Sequence, residues 1–226
     1  MQAIEIYRAV SYVLQDVREP RRWAWTVEGA EEKANLPQFL NSAMRMVAIH
    51  RPDSTARMVN VPLVAGPRQV IPDDGVSLLE LVRNMGTDID NPTPGVPIIK
   101  VERSALDTYD PNWYQGDEAV EIYNYAYDKF TNPFVFWVAP SPQEGVVVEM
   151  VHSIDPPPVT LPEDILPMPG IYHSPIVHWM LYEIMSGDNS DVNYQKADHH
   201  YRAFHQVLGL KLETDARFPI KLDRGE

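Results

Sequence analysis

Histidine is the residue of this chain with the widest chemical use, and the sequence contains seven histidines. A metal site needs imidazoles that converge on one ion, but His199 and His200 are adjacent, so on a helix they point about 100° apart. His173 and His178 lie on either side of a predicted helix start, and the chain has neither an H-E-x-x-H motif nor a facial-triad spacing. The sequence therefore predicts surface or packing roles for the histidines, no metal ligands and no cofactor.

Carboxylates offer a second kind of chemistry. Asp107 and Asp110 are close enough in sequence to suggest a paired-carboxylate catalyst, but turn or helix-cap roles are favoured because sequence does not supply the separation that such a catalyst needs. The cluster of Asp188, Ser190 and Asp191 lacks the ligand spacing and glycine of a calcium loop, and a turn between helices explains it better. The chain also has no cysteine, no G-x-S-x-G motif and no phosphate-binding glycine loop. No catalytic residue is predicted.

Aromatic side chains could form a stacking platform for single-stranded nucleic acid, since any base offers a π face. The five tryptophans are Trp23, Trp25, Trp113, Trp137 and Trp179. A platform of this kind also needs a basic groove, whereas the net charge is -13 and residues 57–156 carry 6 Lys and Arg against 15 Asp and Glu. The charge argues against a grip on DNA, so core or protein-interface roles are favoured for the tryptophans.

The composition is that of a globular protein, with 44% hydrophobic and 10% aromatic residues in a chain of 226 residues. The lack of cysteine suits folding in a reducing cytoplasm. The longest apolar runs are far shorter than a bilayer span, and the N-terminus has no basic region followed by an apolar one. The sequence thus predicts one or two domains, with no membrane segment and no secretory signal.

Four segments repeat apolar residues at the three- and four-residue spacing of one helical face. These segments are 3–18, 35–50, 174–187 and 191–208. Ser174 is predicted to cap the third helix, with Pro175 in its first turn. Because the apolar faces are complementary, the four segments are predicted to pack as one bundle, with Leu181 and Phe204 buried in it.

Between residues 57 and 156 the sequence changes to short β-type runs separated by Pro, Gly, Asp and Asn. The runs at 59–63 and 69–71 flank a turn at Ala65-Gly66-Pro67 and are predicted to form a hairpin. Further strands are predicted at 78–83, 98–102, 118–125, 134–139 and 146–152. The predicted fold is α+β: a four-helix bundle formed by residues 1–56 and 157–210, an inserted antiparallel β lobe at 57–156, and an extended C-terminal arm at 211–226.

A series of short motifs runs through most of the chain. They are Arg22-Trp23, Leu40-Asn41, His50-Arg51-Pro52-Asp53, Gly66-Pro67-Arg68-Gln69, Ile71-Pro72, Val82-Arg83-Asn84-Met85-Gly86, Ala105-Leu106-Asp107, Asp110-Pro111-Asn112-Trp113, the strand from Phe136 to Pro142, the helix around Tyr182, Phe204 and Leu208-Gly209. Their order and spacing resemble an adaptor family of tailed bacteriophages found between portal and tail, similar in role to the tail tubular or gatekeeper ring of short-tailed phages. The resemblance runs from about residue 4 to 212. One departure is Met185-Ser186-Gly187-Asp188, where the family pattern has a lysine before the aspartate.

The resemblance implies a structural virion protein without catalytic activity, made in the host cytoplasm and located at the head–tail junction. It implies a ring of identical subunits, expected to be a dodecamer, with the portal protein on one side and a tail nozzle or tube protein on the other. DNA is expected to pass through the ring without specific binding. Two other interpretations stay open: a phage tail-associated hydrolase that uses paired carboxylates, and a protein-binding module outside virions.

Two sets of residues are candidates for contacts in such an assembly. Phe218, Pro219 and Ile220 form an apolar triplet in a charged C-terminal segment and are candidates for portal binding. Six acidic residues are candidates for lining the channel, because carboxylates repel phosphate whereas Lys and Arg bind it. These six are Asp73, Asp74, Asp88, Asp90, Asp117 and Glu118. The alternative is that they lie on the outer rim and serve solubility alone.

Overall fold

A computed structural model of the chain describes residues 1–27, 34–187 and 191–209, and these residues form an α+β structure. They divide into two compact units. The first unit contains residues 1–54 and the described residues from 156 onward, and the second contains Thr55–Asp155. The chain therefore leaves the first unit after residue 54 and returns to it at residue 156.

Five α-helices lie within the described residues. They are α1 (Ala3–Val13), α2 (Leu36–His50), α3 (Arg103–Tyr109), α4 (His173–Ser186) and α5 (Asp191–Val207). All except α3 belong to the first unit, which also contains a short parallel pair of strands, β1 (Trp23–Ala24) and β2 (Ala34–Asn35). α1, α2 and α5 are amphipathic, and in α1 the buried face includes Ile6, Tyr7 and Val10.

The predicted four-helix bundle is wrong. The first unit is organised around α4, against which α1, α2 and α5 each pack, and its helices are only 11 to 17 residues long. The irregular segment 156–172 supplies Val159, Leu166 and Met168 to the same core. Two hydrogen bonds between the Asn41 side chain and the backbone of Val159 hold this segment against α2. An apolar stripe predicts that a helix face is buried, but it does not identify what covers that face.

Two helix ends also differ from the prediction. α1 ends at Val13 and does not reach residue 18, since Gln15 takes a left-handed conformation with φ 58°, which a right-handed helix does not allow. α4 begins at His173, one residue earlier than predicted. Its N-cap position is therefore Tyr172 and not Ser174.

The second unit contains two sheets. The three-stranded sheet is antiparallel, with the order β3 (Ala56–Pro62), β9 (Val147–Ile154), β5 (Gly75–Asn84). The four-stranded sheet has the order β4 (Arg68–Val70), β8 (Val135–Ala139), β7 (Asn124–Ala126), β6 (Ile99–Lys100). Because β6 and β7 are parallel, the prediction of a purely antiparallel lobe is wrong. The helix α3, which the sequence did not predict, follows β6.

The predicted hairpin at residues 59–71 does not form. β3 pairs with β9 and β4 pairs with β8, so the chain crosses from one sheet to the other at the turn around Gly66. Gly66 has φ 100°, a conformation that favours glycine. The Gln69 side chain closes the turn with hydrogen bonds to the backbone of Val64 and Gly66. The turn is present, but its two strands have different partners.

The two sheets share one apolar core. Its most buried members include Leu81, Ile122, Phe136, Val148 and Met150. One polar residue, Asn84 at the end of β5, is only 2% exposed. Its amide donates to the carbonyl oxygens of Val96 and Ile122, and its own oxygen accepts the backbone N–H of Ile122. Asn84 therefore joins β5 to the segment that leads into β7.

Candidate interaction surface

The six predicted channel acids lie in three loops of the second unit, and all are exposed. Asp73 and Asp74 precede β5, Asp88 and Asp90 follow it, and Asp117 and Glu118 follow a 3-10 turn at Trp113–Gln115. These six side chains are therefore accessible to solvent or to a partner protein.

The structure does not bring the six acids together. β5 is ten residues long, so the loops before and after it are about 30 Å apart. The segment with Asp117 and Glu118 lies at the second of these ends, because Ile122 bonds to Asn84, the last residue of β5. The acids therefore form two groups at opposite ends of the strand. We call Asp73 and Asp74 the near group and the other four acids the far group.

Two of these acids have specific local partners. A carboxylate oxygen of Asp74 lies 3.4 Å from the Arg57 guanidinium and another lies 3.3 Å from Nε2 of His152. Asp88 accepts hydrogen bonds from the Asn91 side chain and from the backbone of Asp90, which lower the pKa of Asp88. Asp88 is thus held in its charged form, and Asp74 forms an ion pair with Arg57.

The candidate catalytic pair has structural roles. Asp107 lies on α3 and accepts the indole N–H of Trp113 at 2.9 Å. Asp110 is the residue that ends α3, and it accepts the backbone N–H of Asn112. Asp110 thus has a cap and turn role of the kind that the sequence favoured, whereas Asp107 binds Trp113 from within α3.

Another motif that carries the family resemblance forms a local network of hydrogen bonds. In the His50-Arg51-Pro52-Asp53 motif, the Arg51 guanidinium makes a bidentate ion pair with Asp53 at 2.8 and 2.9 Å. The hydroxyl of Tyr172 donates to the same carboxylate. These bonds lower the pKa of Asp53 and connect the end of α2 to the turn before α4. Arg51 and Asp53 of this motif therefore have a structural role.

The tryptophans are packed, as the core interpretation predicted. Trp113 and Trp179 are buried, and Trp23 and Trp25 are partly buried against the core of the first unit. Trp137 is half-buried in β8, with the Arg103 guanidinium 4.5 Å from its ring centroid. These five side chains do not form an exposed stacking platform.

An exposed surface with apolar side chains lies around α3 in the second unit. No residue of this seven-residue helix is buried, and Tyr109 is 94% exposed. Val101, Leu106 and Tyr109 help to line an open cleft of about 960 Å³ beside the helix. A helix this short is unstable alone, so α3 depends on contacts with its surroundings. Sequence reasoning missed this surface because residues 103–109 carry no apolar stripe.

Four histidines of the first unit form two close pairs. Nδ1 of His178 on α4 is 3.0 Å from Nδ1 of His200 on α5. The rings of His50 and His205 are 5.3 Å apart, and both contact the ring of Phe204. Burial is the main cause that lowers the pKa of all four imidazoles, to about 4 for His200. Each histidine is therefore held mainly neutral near pH 7.

The pair of His50 and His205 makes the stability of the first unit dependent on pH. Burial lowers the pKa of His50 and of His205 in the folded chain. Just below pH 6.5 the unfolded chain therefore binds more protons than the folded chain. The free energy of unfolding consequently falls as the pH falls. We expect a loss of at most about 1.4 kcal/mol per pH unit and per histidine. Urea unfolding between pH 7.5 and 5 should become less pH-dependent in His50→Gln and His205→Gln. His173→Gln, outside this pair, is the matched control, and equal slopes in all variants would contradict the assignment.

Several candidates lie outside the described residues. The triplet Phe218, Pro219 and Ile220 falls in the C-terminal segment after residue 209, and Asp188 and Ser190 fall between α4 and α5. The part of the chain that the structure describes contains no group of three or more His, Cys, Asp or Glu side chains placed to hold a metal ion. Within the same residues, no helix has the length and apolar character needed to span a membrane.

A protein-family model matches nearly the whole chain. The family model described as SU10 adaptor protein matches residues 1–221 of the 226-residue chain. No curated protein matches the chain. The family match therefore covers both units and extends into the C-terminal segment.

Proposed function

The chain belongs to the SU10 adaptor protein family, a family of phage head-to-tail adaptors, and from this premise we propose that it forms the adaptor ring between the portal and the tail of a virion. The observation that carries the proposal is the family match over residues 1–221. Membership implies a structural role and interactions with other phage head or tail proteins. The role we propose is mechanical and not catalytic, which agrees with the structural roles of Asp107 and Asp110.

We propose that the ring is a dodecamer, with the portal protein on one side and a tail nozzle or tube protein on the other. A closed ring needs a heterologous interface, in which one surface of each subunit meets a different surface of the next. Exposed apolar groups such as Tyr109 and Phe130 of the second unit, 94% and 88% exposed, supply side chains that such an interface can bury.

The oligomeric state and the partner can be tested with purified proteins. We expect native mass spectrometry and negative-stain images of the full chain mixed with its portal protein to give ring-shaped complexes with cyclic symmetry. The chain without portal and the portal without the chain are the two controls. A mixture that contains only the separate components would contradict portal binding.

The C-terminal segment is our candidate for portal binding. Its apolar triplet Phe218, Pro219 and Ile220 lies among charged residues, an arrangement suited to docking in a groove. We expect removal of residues 213–226, or the double change Phe218→Ser and Ile220→Ser, to weaken portal binding at least tenfold in a sedimentation assay. Lys221→Ser in the same segment is the matched control. Undiminished portal binding by the truncated chain would show that the segment is not the dock.

The acidic groups are our candidates for the channel wall. The near and far groups lie at opposite ends of β5, about 30 Å apart. When the channel axis crosses β5 at right angles near one end, only the group at that end can line the channel. Asp73→Lys tests the near group, and a combined change of Asp88, Asp90, Asp117 and Glu118 to Lys tests the far group. We expect one of these variants to slow genome ejection at low salt, with recovery at high salt because screening shortens the reach of the added charges. If neither variant changes ejection at low salt, the acids serve solubility alone.

A further inference from the structure

A close pair of histidines joins the two helices that make the central contact of the first unit. His178 lies on α4 and His200 lies on α5, 22 residues later in the chain, and α4 and α5 pack along each other. Their Nδ1 atoms are 3.0 Å apart and their rings are inclined by 36°. Both side chains are half-buried, so each keeps part of its surface in contact with solvent.

The distance between the two Nδ1 atoms fits two neighbouring ligand positions around one metal ion. Imidazole nitrogens bind first-row divalent metals at about 2.0–2.1 Å, so two of them at a right angle are about 2.9 Å apart. A tetrahedral angle separates them by about 3.4 Å. The observed 3.0 Å lies nearer to the right angle, which is the geometry that Cu²⁺ and Ni²⁺ prefer with nitrogen ligands.

The neighbouring aromatic contacts fix the register of the two helices. Trp179 packs on Phe204 with ring centroids 4.8 Å apart, and Tyr182 packs on Tyr201 at 5.2 Å. These contacts join the same faces of α4 and α5 that carry the histidines. The pair is therefore positioned before any ion arrives, which favours binding.

We propose that His178 and His200 form a two-ligand site for a divalent transition metal, with Cu²⁺ or Ni²⁺ as the best fit. Water completes the coordination sphere, since the described residues offer no group of three or more ligating side chains. The bound ion links α4 to α5. This site is independent of the proposed adaptor role, and it revises the sequence-based prediction that no histidine is a metal ligand.

The site can be tested by titrating Ni²⁺ into the full chain, without a polyhistidine tag, in a calorimeter. We expect one Ni²⁺ per subunit, and at least about tenfold weaker binding in His178→Gln and in His200→Gln. Ni²⁺ should also raise the melting temperature of the wild type but not of these variants. His173→Gln, at the start of α4, is the control and should bind like the wild type. Equal Ni²⁺ affinity in the wild type and both test variants would overturn the proposal and leave a simple N–H···N hydrogen bond.

A second measurement needs no variant. Pulsed electron paramagnetic resonance of the wild type with one equivalent of Cu²⁺ counts the imidazoles bound to the ion. We expect two equatorial imidazole nitrogens from different residues. A spectrum with one imidazole or none would also overturn the proposal.

Discussion

Replacing Phe204 by alanine lowers the free energy of unfolding of the subunit by about 3–5 kcal/mol, the range for a large aromatic residue removed from a packed core. Phe204 on α5 is fully buried, and its ring contacts those of His50, His205 and Trp179, the last with ring centroids 4.8 Å apart. The change therefore removes a buried aromatic contact between α5 and α4. Leu181→Ala, which removes a side chain that is 1% exposed, should cost about 2–5 kcal/mol in the same unit.

Urea unfolding monitored by circular dichroism measures this effect. Val207→Ala is the matched control, because Val207 is on the same helix and is 50% exposed. A loss for Phe204→Ala as small as that for Val207→Ala would contradict the packing of α5 on α4.

Asn84→Ala is the second change with a large expected effect, a loss of about 2–5 kcal/mol. It removes three hydrogen bonds and leaves the buried N–H and C=O of Ile122 without the partners that Asn84 supplies. Each unsatisfied buried group costs about 1–3 kcal/mol. The damage should be local to the second unit, because both Asn84 and Ile122 lie in it.

The control for this change is Asn60→Ala, since Asn60 is an exposed asparagine on β3 of the same unit. Hydrogen exchange separates the two units: protection should fall in β5 and β7 of Asn84→Ala while α4 keeps its protection. Equal stability of the Asn84→Ala and Asn60→Ala variants would contradict the buried network.

The local features of the fold were predictable from sequence, and the long-range ones were not. The apolar stripe of α1 contains Ile6 and Val10, both fully buried. The strands that pair with β3 and β4 lie 65 to 97 positions away in the chain, so the local turn at Gly66 gave the wrong pairing. Helix α3 escaped prediction because its sequence has no apolar stripe and its side chains are not buried.

The local features of the candidate interaction surface were likewise predictable from sequence, and its long-range features were not. The sequence predicted Asp73 and Asp88 as members of one set of channel-lining acids, but β5 lies between them and separates the set into two groups. Spacing along one helix compares His199 only with His200 and does not consider partners on another helix. His178 meets His200 only because α4 and α5 pack side by side, which is a tertiary contact that spacing within one helix does not contain.

The most direct test of the central claim is a cryo-electron microscopy map of the head–tail junction of the virion that carries this chain. The adaptor role predicts a closed ring of this chain directly below the portal, in twelve copies if it is a dodecamer, with both units of each subunit fitted in density. It also predicts contacts with the portal on one side and a tail protein on the other. Density at that position that fits a different protein, or virions that lack the chain, would contradict the adaptor role.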